Sequence, residues 1–430
     1  MLIGIAWILI GMEGSYSMTT SMAASHAASK RLKDAIFGAS AACREAAAKY
    51  GADKVTNATM GVMMDEDGKF ASIPTMERVF RSLSIEDYAR YAPIPGLPEY
   101  LDAVIDLTFA DQKPEGYFGA IATAGGTGAI HHAVANYAER GDEVLTADWF
   151  WGTYNVICNE CGSHLTNYKL FDADNNFNIE DFTAKVDAIM AKQDSLLTII
   201  NTPAHNPTGF SLTEEDWDNV LDLTKKYAAK GKKMSILVDI AYIDFAGEKN
   251  ETRRFMKKFG NLPSNILVMF AFSMSKGYTA YGQRTGALVA VSSSQEVITE
   301  FKEVNKYTSR ATSNINRGAM TLLARIQQDK SALAQFEKER DDYYKMIQHR
   351  GNLFMEEAKA CGLNALPYKG GFFLAVPAKD PQAVCDKLHD DLIFAVPLKL
   401  GVRIAACSVS AEKMKGIAPK VLKALQAVEG

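Results

Sequence analysis

Lys276 is the lysine best placed for chemistry, because it closely follows a long apolar run. Ile266–Phe272 is apolar throughout, Ser273-Met-Ser-Lys276 comes next, and Arg284 lies eight residues beyond the lysine. A lysine buried at a strand end is hard to keep charged, so its pKa falls and its neutral amine can attack an aldehyde. The hydroxyl groups of Ser273 and Ser275 and the guanidinium of Arg284 suit a phosphate. The pattern therefore predicts a covalent cofactor site at Lys276. The alternative is a surface lysine whose ammonium group reaches water.

A glycine-rich turn, Thr123-Ala-Gly-Gly-Thr-Gly128, lies between a predicted strand and a predicted helix. Gly126 lets the backbone approach an anion closely, and Thr127 adds a hydroxyl donor. The N-terminus of the following helix offers unpaired N–H groups to the same anion. The turn therefore predicts a phosphate site, and the alternative is an ordinary tight turn.

An acid and an amide also follow predicted strands. In Val238-Asp-Ile-Ala-Tyr242 the carboxylate of Asp239 could hold a pyridine nitrogen protonated, which would make the ring an electron sink, and Tyr242 could reach a ring oxygen. In Asn201-Thr-Pro-Ala-His-Asn-Pro-Thr-Gly209 the prolines restrict the backbone, which fixes the direction of the Asn206 amide. Each segment alone could be only a turn. Because ligands of open α/β sheets bind beyond the carboxyl ends of the strands, we expect these side chains to share one site.

Short apolar segments alternate with longer helical segments across the middle of the chain. Helical examples are Gly128–Arg140, Ile179–Lys192 and Thr213–Lys230, the last of which opens with a capping-box pattern. Several of the apolar segments show no alternation with polar residues, which is typical of strands covered on both faces. The order predicts an α/β fold with a large, mainly parallel seven-stranded sheet flanked by helices. The predicted strands are Phe118–Thr123, Glu143–Ala147, Leu165–Leu170, Leu196–Asn201, Met234–Asp239, Ile266–Phe272 and Gly286–Val291.

Two domains are expected from the length of 430 residues. We predict a large cofactor-binding domain over residues 70–320 and a smaller α+β domain that both chain ends form, from residues 18–69 and 321–430. The elements expected in the smaller domain are an Ala-rich helical region from Ser21–Ser29 to about Tyr50, a helix-rich stretch over Leu322–Ala360, strands over Phe372–Val376 and Arg403–Ala406, and a final helix.

The first 17 residues are set apart as an N-terminal extension of uncertain status. Their apolar stretch Leu2–Ile10 is too short to span a bilayer, and no Lys or Arg precedes it as in a signal peptide. Met18 is the alternative first residue of the protein.

The bulk composition favours a small-molecule partner. The net charge is −4 with both signs mixed, which argues against a nucleic acid or an anionic membrane as the partner. The six cysteines are scattered, as is typical of reduced thiols in the cytoplasm. Cys158 and Cys161 form a single C-x-x-C without a second pair, so no metal site is predicted.

In combination and in order, these motifs resemble the class I aminotransferases. This is the aspartate aminotransferase family of fold-type-I enzymes, which use pyridoxal phosphate (PLP). The resemblance runs from about Ala58 to Arg403. Further segments that carry it are Met60-Gly61-Val62, Asp65-Glu-Asp-Gly-Lys69, Tyr91-Ala-Pro-Ile-Pro-Gly-Leu-Pro98 and Trp151-Gly-Thr-Tyr.

The resemblance implies a role toward the cofactor for each matching residue. Lys276 would carry PLP as a Schiff base and move the proton during transamination, and Asp239 would pair with the pyridine nitrogen. Asn206 and Tyr242 would bond the phenolic oxygen, and Trp151 would stack on the ring. The phosphate ligands would be Gly126, Thr127, Ser273, Ser275 and Arg284, together with Tyr91 from the other subunit of a homodimer with shared active sites.

The resemblance also implies how the substrate binds. The substrate contacts would be Gly61, Trp151, Asn206 and Arg403. The planar fork of Arg403 suits the α-carboxylate of an amino acid. The implied reaction is a ping-pong exchange of an amino group between an L-amino acid, of aspartate/glutamate or aromatic type, and a 2-oxo acid.

Three departures from the family pattern leave the amino acid substrate open. Aspartate-specific members carry an arginine four residues before a Ser-Asn pair, and it binds the side-chain carboxylate in the neighbouring subunit. Before Ser313-Asn314 that position is Ser309, and Arg310 is displaced by one residue, a shift that a loop could absorb or that could aim the guanidinium elsewhere. The Pro-Pro expected after the Ser-Asn pair is replaced by Ile315-Asn316. Arg403 follows Gly401 by two positions instead of directly. Another PLP reaction, such as β-elimination or decarboxylation, and a non-catalytic PLP-binding homologue remain the alternatives.

Overall fold

The computed structural model describes residues 22–28, 30–31 and 35–430. The N-terminal extension of residues 1–17 and the alternative start at Met18 lie outside these residues. The described chain contains a large sheet, two small sheets and the helices that cover them.

The strands, numbered in chain order, are β1 (Thr56–Asn57), β2 (Tyr117–Thr123), β3 (Glu143–Ala147), β4 (His164–Tyr168), β5 (Ser195–Asn201), β6 (Lys233–Asp239), β7 (Ile266–Ser273), β8 (Gly286–Ser292), β9 (Phe373–Pro377), β10 (Ile393–Phe394), β11 (Val396–Leu398) and β12 (Gly401–Ala405). The large sheet has seven strands in the order β2-β8-β7-β6-β5-β3-β4. Strand β8 is antiparallel to both of its neighbours, and the other pairs are parallel. The predicted α/β fold with a mainly parallel seven-stranded sheet is therefore confirmed.

The large sheet is buried on both faces, as its uninterrupted apolar strands require. Along β7, Leu267, Met269 and Ala271 pack into one hydrophobic cluster. The alternate residues Val268 and Phe270 pack into another, on the opposite face of the sheet. A one-residue slip of such a strand would move every packed side chain to the opposite face and disrupt both clusters, so the ends of the strands are fixed relative to one another.

The helices are α1 (Ala35–Tyr50), α2 (Pro74–Arg81), α3 (Ile85–Ala89), α4 (Pro98–Phe109), α5 (Gly125–Tyr137), α6 (Thr153–Cys161), α7 (Ile179–Met190), α8 (Glu214–Ala228), α9 (Met274–Gly277), α10 (Gln295–Thr312), α11 (Arg317–Gln328), α12 (Lys330–Cys361), α13 (Pro381–Leu388), α14 (Ala411–Met414) and α15 (Ile417–Glu429). The predicted capping box of α8 is present: Thr213 Oγ1 accepts a hydrogen bond from Asp216 N at 3.1 Å, and Asp216 Oδ2 accepts one from Thr213 N at 2.7 Å. Such reciprocal bonds satisfy N–H groups that have no partner inside the helix.

One helical prediction needs correction, and another is confirmed as two helices. The N-terminal helical region was expected to open at Ser21–Ser29, but Ala24–Ala28 form a turn and helix α1 covers Ala35–Tyr50. The helix-rich stretch over Leu322–Ala360 is divided between α11 and α12. The break lies at Asp329, whose carboxylate accepts hydrogen bonds from the first N–H groups of α12 and so starts a new helix.

Two small sheets lie near the C-terminus of the chain. Strands β9 and β12 match the two strands predicted there, and β12 pairs antiparallel with both β9 and β11. Strand β1 pairs in parallel with β10, which joins the N-terminal segment to residues 393–394. The domain boundaries at residues 70 and 321 stay a prediction. Among the helices of residues 35–430, none has the length and apolar character needed to cross a membrane.

Candidate active site

Most of the predicted site residues lie together at one edge of the large sheet. Strands β2, β5, β6 and β7 all end at this edge, and the antiparallel β8 begins there. The pairing register brings the ends together: Asn201 is opposite Asp239, and Gly286 is opposite both Thr123 and Ser273. Loops that leave these positions must therefore share one small region.

The glycine turn before α5 packs tightly against the residues that precede β8. Gly125 has φ +72°, and a Cβ atom placed there would lie 2.7 Å from Arg284 Nη2. A Cβ atom at Gly286 would contact the Phe272 carbonyl oxygen and lie 2.6 Å from the carbonyl carbon of Gly125. Larger residues are therefore excluded at both positions, and the N-terminus of α5 lies directly against the guanidinium of Arg284.

Hydroxyl groups and a guanidinium line this turn. Arg284 Nη1 donates a hydrogen bond to Ser275 Oγ at 3.2 Å and another to the Tyr281 carbonyl oxygen at 3.0 Å. Ser273 Oγ accepts a hydrogen bond from Ser275 N at 3.2 Å, and Gly126 packs against the Ser273 side chain. A helix N-terminus, a guanidinium and several hydroxyl groups at one point form an anion-binding cradle.

Lys276 lies on the single turn of α9, immediately beyond β7. Its Nζ atom lies 5.0 Å from the centre of the Tyr281 ring and 5.7 Å from that of the Tyr242 ring. Burial lowers the pKa of Lys276 to about 8, and the positive charges of Arg284 and Arg403 act in the same direction. The amine is therefore neutral in about a tenth of molecules at pH 7, far more than for an ordinary lysine, and the neutral form is what a nucleophilic lysine needs.

The carboxyl group of Asp239 is buried and hydrogen-bonded on both oxygens. Oδ2 accepts a hydrogen bond from the Tyr154 hydroxyl at 2.6 Å, and Oδ1 accepts one from Ala241 N at 3.1 Å. Burial raises the pKa of Asp239, whereas these two hydrogen bonds and the positive charge of Lys276 oppose that rise. A cation placed beside this carboxyl would favour its ionised form further.

Two asparagines, Asn201 and Asn206, connect the Asp239 backbone to the Tyr242 hydroxyl. Asn201 Nδ2 donates to the Asp239 carbonyl oxygen at 2.8 Å, and Asn201 Oδ1 accepts from Asn206 N at 2.6 Å. Asn206 Nδ2 in turn donates to the Tyr242 hydroxyl at 3.3 Å. The directions of the Asn206 and Tyr242 side chains are thus set by one connected network.

Arg403 approaches the same network from strand β12. Its guanidinium donates to the Asn206 side-chain oxygen at 3.4 Å and to the Thr59 carbonyl oxygen at 3.0 Å. It also lies over the Phe373 ring, 4.3 Å from the ring centre. Gly61 faces that same ring, since a Cβ atom there would lie 3.0 Å from Phe373 Cζ. The side chain of Arg403 is buried, so these contacts and not solvent determine its orientation.

A single cavity of about 210 Å³ contains most of the predicted site residues. They are Gly126, Thr127, Trp151, Asn206, Asp239, Tyr242, Ser273, Ser275, Lys276 and Arg284. Trp151 lines this cavity, while the neighbouring Trp149 is buried in the core. Arg403 contacts the cavity residue Asn206, and Gly61 contacts Phe373, the ring that also lies against Arg403.

Two residues of this site were not predicted as functional. Tyr154 bonds Asp239, and Asn201 lines the cavity and links Asp239 to Asn206. Both lay inside the motifs Trp151-Gly-Thr-Tyr and Asn201-Thr-Pro. A signal existed for Asn201, because it is the last residue of a strand, whereas Tyr154 is the second residue of helix α6 and follows no strand directly.

Tyr91 and Arg310 lie elsewhere on this chain. The Tyr91 side chain is 89% exposed and does not line the cavity. A loop was expected at Arg310, but the residue belongs to helix α10, so its one-residue displacement from Ser309 lies within a helix. On a helix it corresponds to a rotation of about 100°. Ser309 is buried and Arg310 is exposed.

The segments that carry these two residues adjoin each other. Asn314 Nδ2 donates to the Ala92 carbonyl oxygen at 2.8 Å, and Arg317 Nη1 donates to the Tyr91 carbonyl oxygen at 3.2 Å. Tyr91 and the end of α10 therefore form one surface of the chain.

The chemistry of the cavity fits PLP. It offers an anion cradle at Arg284 for a phosphate, an amine at Lys276 for an aldehyde and a buried carboxyl at Asp239 for a pyridine nitrogen. Within residues 22–28, 30–31 and 35–430, no group of three or more His, Cys, Asp or Glu side chains is arranged to hold a metal ion. The six cysteines are free thiols.

Comparisons with known proteins agree with this chemistry. The sequence profile of the family described as "Aminotransferase class I and II" matches residues 53–421. Aspartate aminotransferase of Escherichia coli (strain K12) is 26% identical over 319 residues, which cover 72% of this chain and 77% of that protein. Aromatic-amino-acid aminotransferase of Paracoccus denitrificans is 29% identical over 238 residues, or 54% of this chain and 57% of that protein.

Solved structures give the same result. The crystal structure of an aminotransferase from Anaerococcus prevotii is 36% identical, with a TM-score of 0.92, and covers 94% of this chain and 100% of that one. An aromatic-amino-acid aminotransferase from Burkholderia pseudomallei, covalently bound to pyridoxal phosphate, has a TM-score of 0.76 at 21% identity. It covers 94% of this chain and 100% of its own, and at that identity the likeness is one of fold.

Proposed function

The chain belongs to the class I and II aminotransferases and is a PLP-dependent transaminase, and on that premise we propose its reaction and the roles of its residues. The proposed reaction moves an amino group between an L-amino acid, of aspartate/glutamate or aromatic type, and a 2-oxo acid by a ping-pong mechanism. The family resemblance drawn from the motifs is thereby confirmed, while the substrate pair is proposed.

One observation carries the proposal. A single cavity combines an amine whose pKa is about 8, a carboxyl group with two hydrogen-bond donors and an anion cradle. A phosphorylated pyridine aldehyde needs these three groups in one place, and a simple binding site for an amino acid would not need the lysine or the acid.

The bound cofactor would supply an electron sink for the bond that breaks at the amino acid Cα. Lys276 Nζ would first hold the cofactor and then, once displaced by the substrate amine, accept the Cα proton and return it on the cofactor side. Asp239 would hold the pyridine nitrogen through its buried carboxylate. The hydrogen bonds that Asp239 already receives orient it for this task and disfavour its protonation.

Arg403 would bind the substrate α-carboxylate. A guanidinium presents two parallel N–H donors to a carboxylate, and this pairing fixes the orientation of the amino acid as well as its position. The Phe373 ring beneath Arg403 and the Thr59 carbonyl hold the guanidinium in place before substrate arrives. Gly61 would leave room above Phe373 for the substrate backbone.

We further propose that two copies of the chain share their active sites. The support is the surface that Tyr91 and the end of α10 form together, because both segments reach outward and Tyr91 is almost fully exposed. In a homodimer Tyr91 would donate to the phosphate in the partner. Arg310 would then be the candidate for an acidic substrate side chain. The scattered free thiols support a cytoplasmic location.

A half-reaction screen tests the proposal. Protein reconstituted with PLP is mixed with single amino acids, and the visible absorbance of the bound cofactor is followed. We expect loss of absorbance with stoichiometric formation of the 2-oxo acid, for Asp and Glu or for Phe, Tyr and Trp. Release of ammonia or CO2 without amine transfer would instead show a lyase or decarboxylase. Failure of the protein to take up PLP would overturn the proposal entirely.

A further inference from the structure

Tyr154 is a buried phenol whose hydroxyl lies on the acid of the proposed cofactor site. Its hydroxyl donates to Asp239 Oδ2 at 2.6 Å, and its side chain is 1% exposed. Burial, followed by the neighbouring Asp239 charge, raises the pKa of Tyr154 well above its usual range. The phenol therefore keeps its proton and acts only as a donor toward the carboxyl group.

The hydrogen bond from Tyr154 opposes the effect of burial on the Asp239 carboxyl group. Burial raises the pKa of Asp239, and among the groups that oppose the rise the Tyr154 hydroxyl ranks first, ahead of Ala241 N and the Lys276 charge. Tyr242 is a further ionisable neighbour of Asp239, and burial keeps it protonated by raising its pKa. Tyr154 is therefore the side-chain donor that does most to keep Asp239 ionised.

Tyr154 also reaches the proposed stacking residue. Its ring meets the Trp151 ring edge to face, with the centres 5.8 Å apart and the planes at 84°. Tyr154, the second residue of helix α6, thus contacts both Asp239 and Trp151. The hydroxyl and the ring have separable functions, because the hydroxyl contacts Asp239 and the ring contacts Trp151.

We propose that Tyr154 is a positioning residue that keeps Asp239 ionised and so controls whether the pyridine nitrogen of the bound cofactor is protonated. The inference rests on the proposed function. Tyr154 touches neither substrate nor cofactor in this scheme, and it acts only through Asp239. Without its hydroxyl, the buried carboxyl would take up a proton more readily and the nitrogen would lose one.

The test replaces Tyr154 with phenylalanine, which removes the hydroxyl and keeps the ring beside Trp151. The holoenzyme is prepared with PLP labelled with 15N in the ring, and the 15N chemical shift reports protonation of the nitrogen. We expect the signal of Tyr154→Phe to move toward that of unprotonated pyridine. We also expect kcat to fall by roughly tenfold or more, the effect of one hydrogen bond to a charged group. KM for the amino acid should change by less than about twofold.

Tyr100→Phe is the matched control. Tyr100 is fully buried, and its hydroxyl has no hydrogen-bond partner among the residues that the structure describes. Its loss should leave the 15N signal and kcat unchanged. An unchanged 15N shift in Tyr154→Phe would overturn the inference, while a wild-type protein that binds no PLP would overturn the proposed function instead.

A double-mutant cycle gives a second, independent readout. If Tyr154 acts only through Asp239, adding Tyr154→Phe to Asp239→Asn should lower kcat by less than about twofold further, because the two changes remove the same interaction. Losses that multiply across the two changes would mean that Tyr154 acts by another route, and would reject the inference even if the single variants are less stable.

Discussion

The inner and outer parts of the proposed site are built in opposite ways. The inner part, around Lys276, Asp239 and Arg284, lines one cavity, in which Asp239 is buried and Arg284 reaches the surface of the chain. Asp239 and Arg284 are both hydrogen-bonded to other groups of the same chain. The outer part, Tyr91 and Arg310, is exposed on the surface of the chain and lies away from the cavity. The contrast teaches that one chain brings together the inner groups proposed to bind the cofactor, whereas its outer residues would gain their proposed function only by reaching another molecule.

The difference has a physical origin in the sheet. The inner residues lie next to the ends of strands whose register is fixed by backbone hydrogen bonds. This register pairs Asn201 with Asp239 and Ser273 with Gly286. The outer residues are carried by a segment between helices and by the last turn of α10. Their positions depend on a few side-chain contacts, including those of Asn314 and Arg317.

The largest expected effect comes from breaking the inner part at its centre. Lys276→Ala should lower transamination by at least about 10³-fold, since it removes both the covalent hold on the cofactor and the proton carrier. The visible absorbance band of the holoenzyme should be lost while circular dichroism shows an intact fold. Turnover and absorbance are measured on the same preparation.

Lys359→Ala is a suitable control for that change. Lys359 is exposed on helix α12, far along the chain from the cavity residues. Its replacement should leave both the band and the turnover intact. If Lys276→Ala kept its turnover, the inner part could not have the role proposed for it.

A smaller effect is expected where the inner part meets the substrate. Arg403→Lys keeps the charge and loses the planar fork, so one of the paired hydrogen bonds to the α-carboxylate is lost. We expect kcat/KM for the amino acid to fall by roughly 10-fold to 100-fold, mainly through KM, with the cofactor absorbance unchanged. Stopped-flow measurement of the half-reaction gives both constants.

Arg140→Lys, at an exposed position, serves as the comparison for Arg403→Lys. It should have no measurable effect on the half-reaction. A full-strength half-reaction in Arg403→Lys would show that the α-carboxylate binds elsewhere.

The inner part could be predicted from the sequence for a reason that the structure makes plain. The apolar runs identify the strands, and a polar residue directly after such a run must lie at the sheet edge, where Asp239 and Lys276 are found. Tyr154 was missed, because it follows no strand directly and its contact with Asp239 joins positions 85 residues apart. Contacts between distant positions depend on how the elements pack, and a periodic pattern does not contain that information.

The outer part shows where prediction from the sequence stopped. The sequence gives the displacement of Arg310 by one residue, but whether this matters depends on the local backbone. In a loop the shift could be absorbed, whereas in the helix that α10 forms it rotates the side chain to another face. The predicted start of the N-terminal helix was wrong for a related reason, although its end at Tyr50 is confirmed, because the Ala-rich composition that favours a helix did not fix where the helix begins.

The outer part can be tested with Tyr91→Phe. If Tyr91 donates to the phosphate in the partner, its loss should weaken PLP binding by about tenfold, the effect of one hydrogen bond to a charged group. The PLP dissociation constant is measured by titration of the apoenzyme. Tyr307→Phe is the matched control, because Tyr307 is 83% exposed and has no proposed role.

Mixing two defective chains sharpens the same test. A dimer of one Lys276→Ala chain and one Tyr91→Phe chain contains one site with both native residues and one site with neither. Activity and tight PLP binding should therefore reappear in mixed dimers. A monomer by light scattering, or mixtures that gain nothing over the separate variants, would show that the inner part works without a partner.

The smallest expected effect is a pH dependence of the inner part alone. Burial lowers the pKa of Lys276 from its ordinary value of 10.5 to about 8. The neutral amine fraction should therefore rise as the pH increases through 8, and the rate at which the apoenzyme captures PLP should rise by roughly fivefold between pH 7 and pH 8. Stopped-flow absorbance at several pH values measures this rate.

The sign of this effect separates burial from pairing. An amine held by a carboxylate partner would have a raised pKa, and capture would begin only well above pH 10. For a buried amine, the cost of burying its charge is present below about pH 8 and is relieved as the pH rises from 8 toward 10.5, so the apoenzyme also gains stability over that range. Dividing the rates by those of a free lysine derivative with PLP removes the ionisation of the cofactor itself. A midpoint near 10.5 after this correction would mean that Lys276 is solvated like a surface lysine, and the contrast between a buried inner part and an exposed outer part would no longer hold at its central residue.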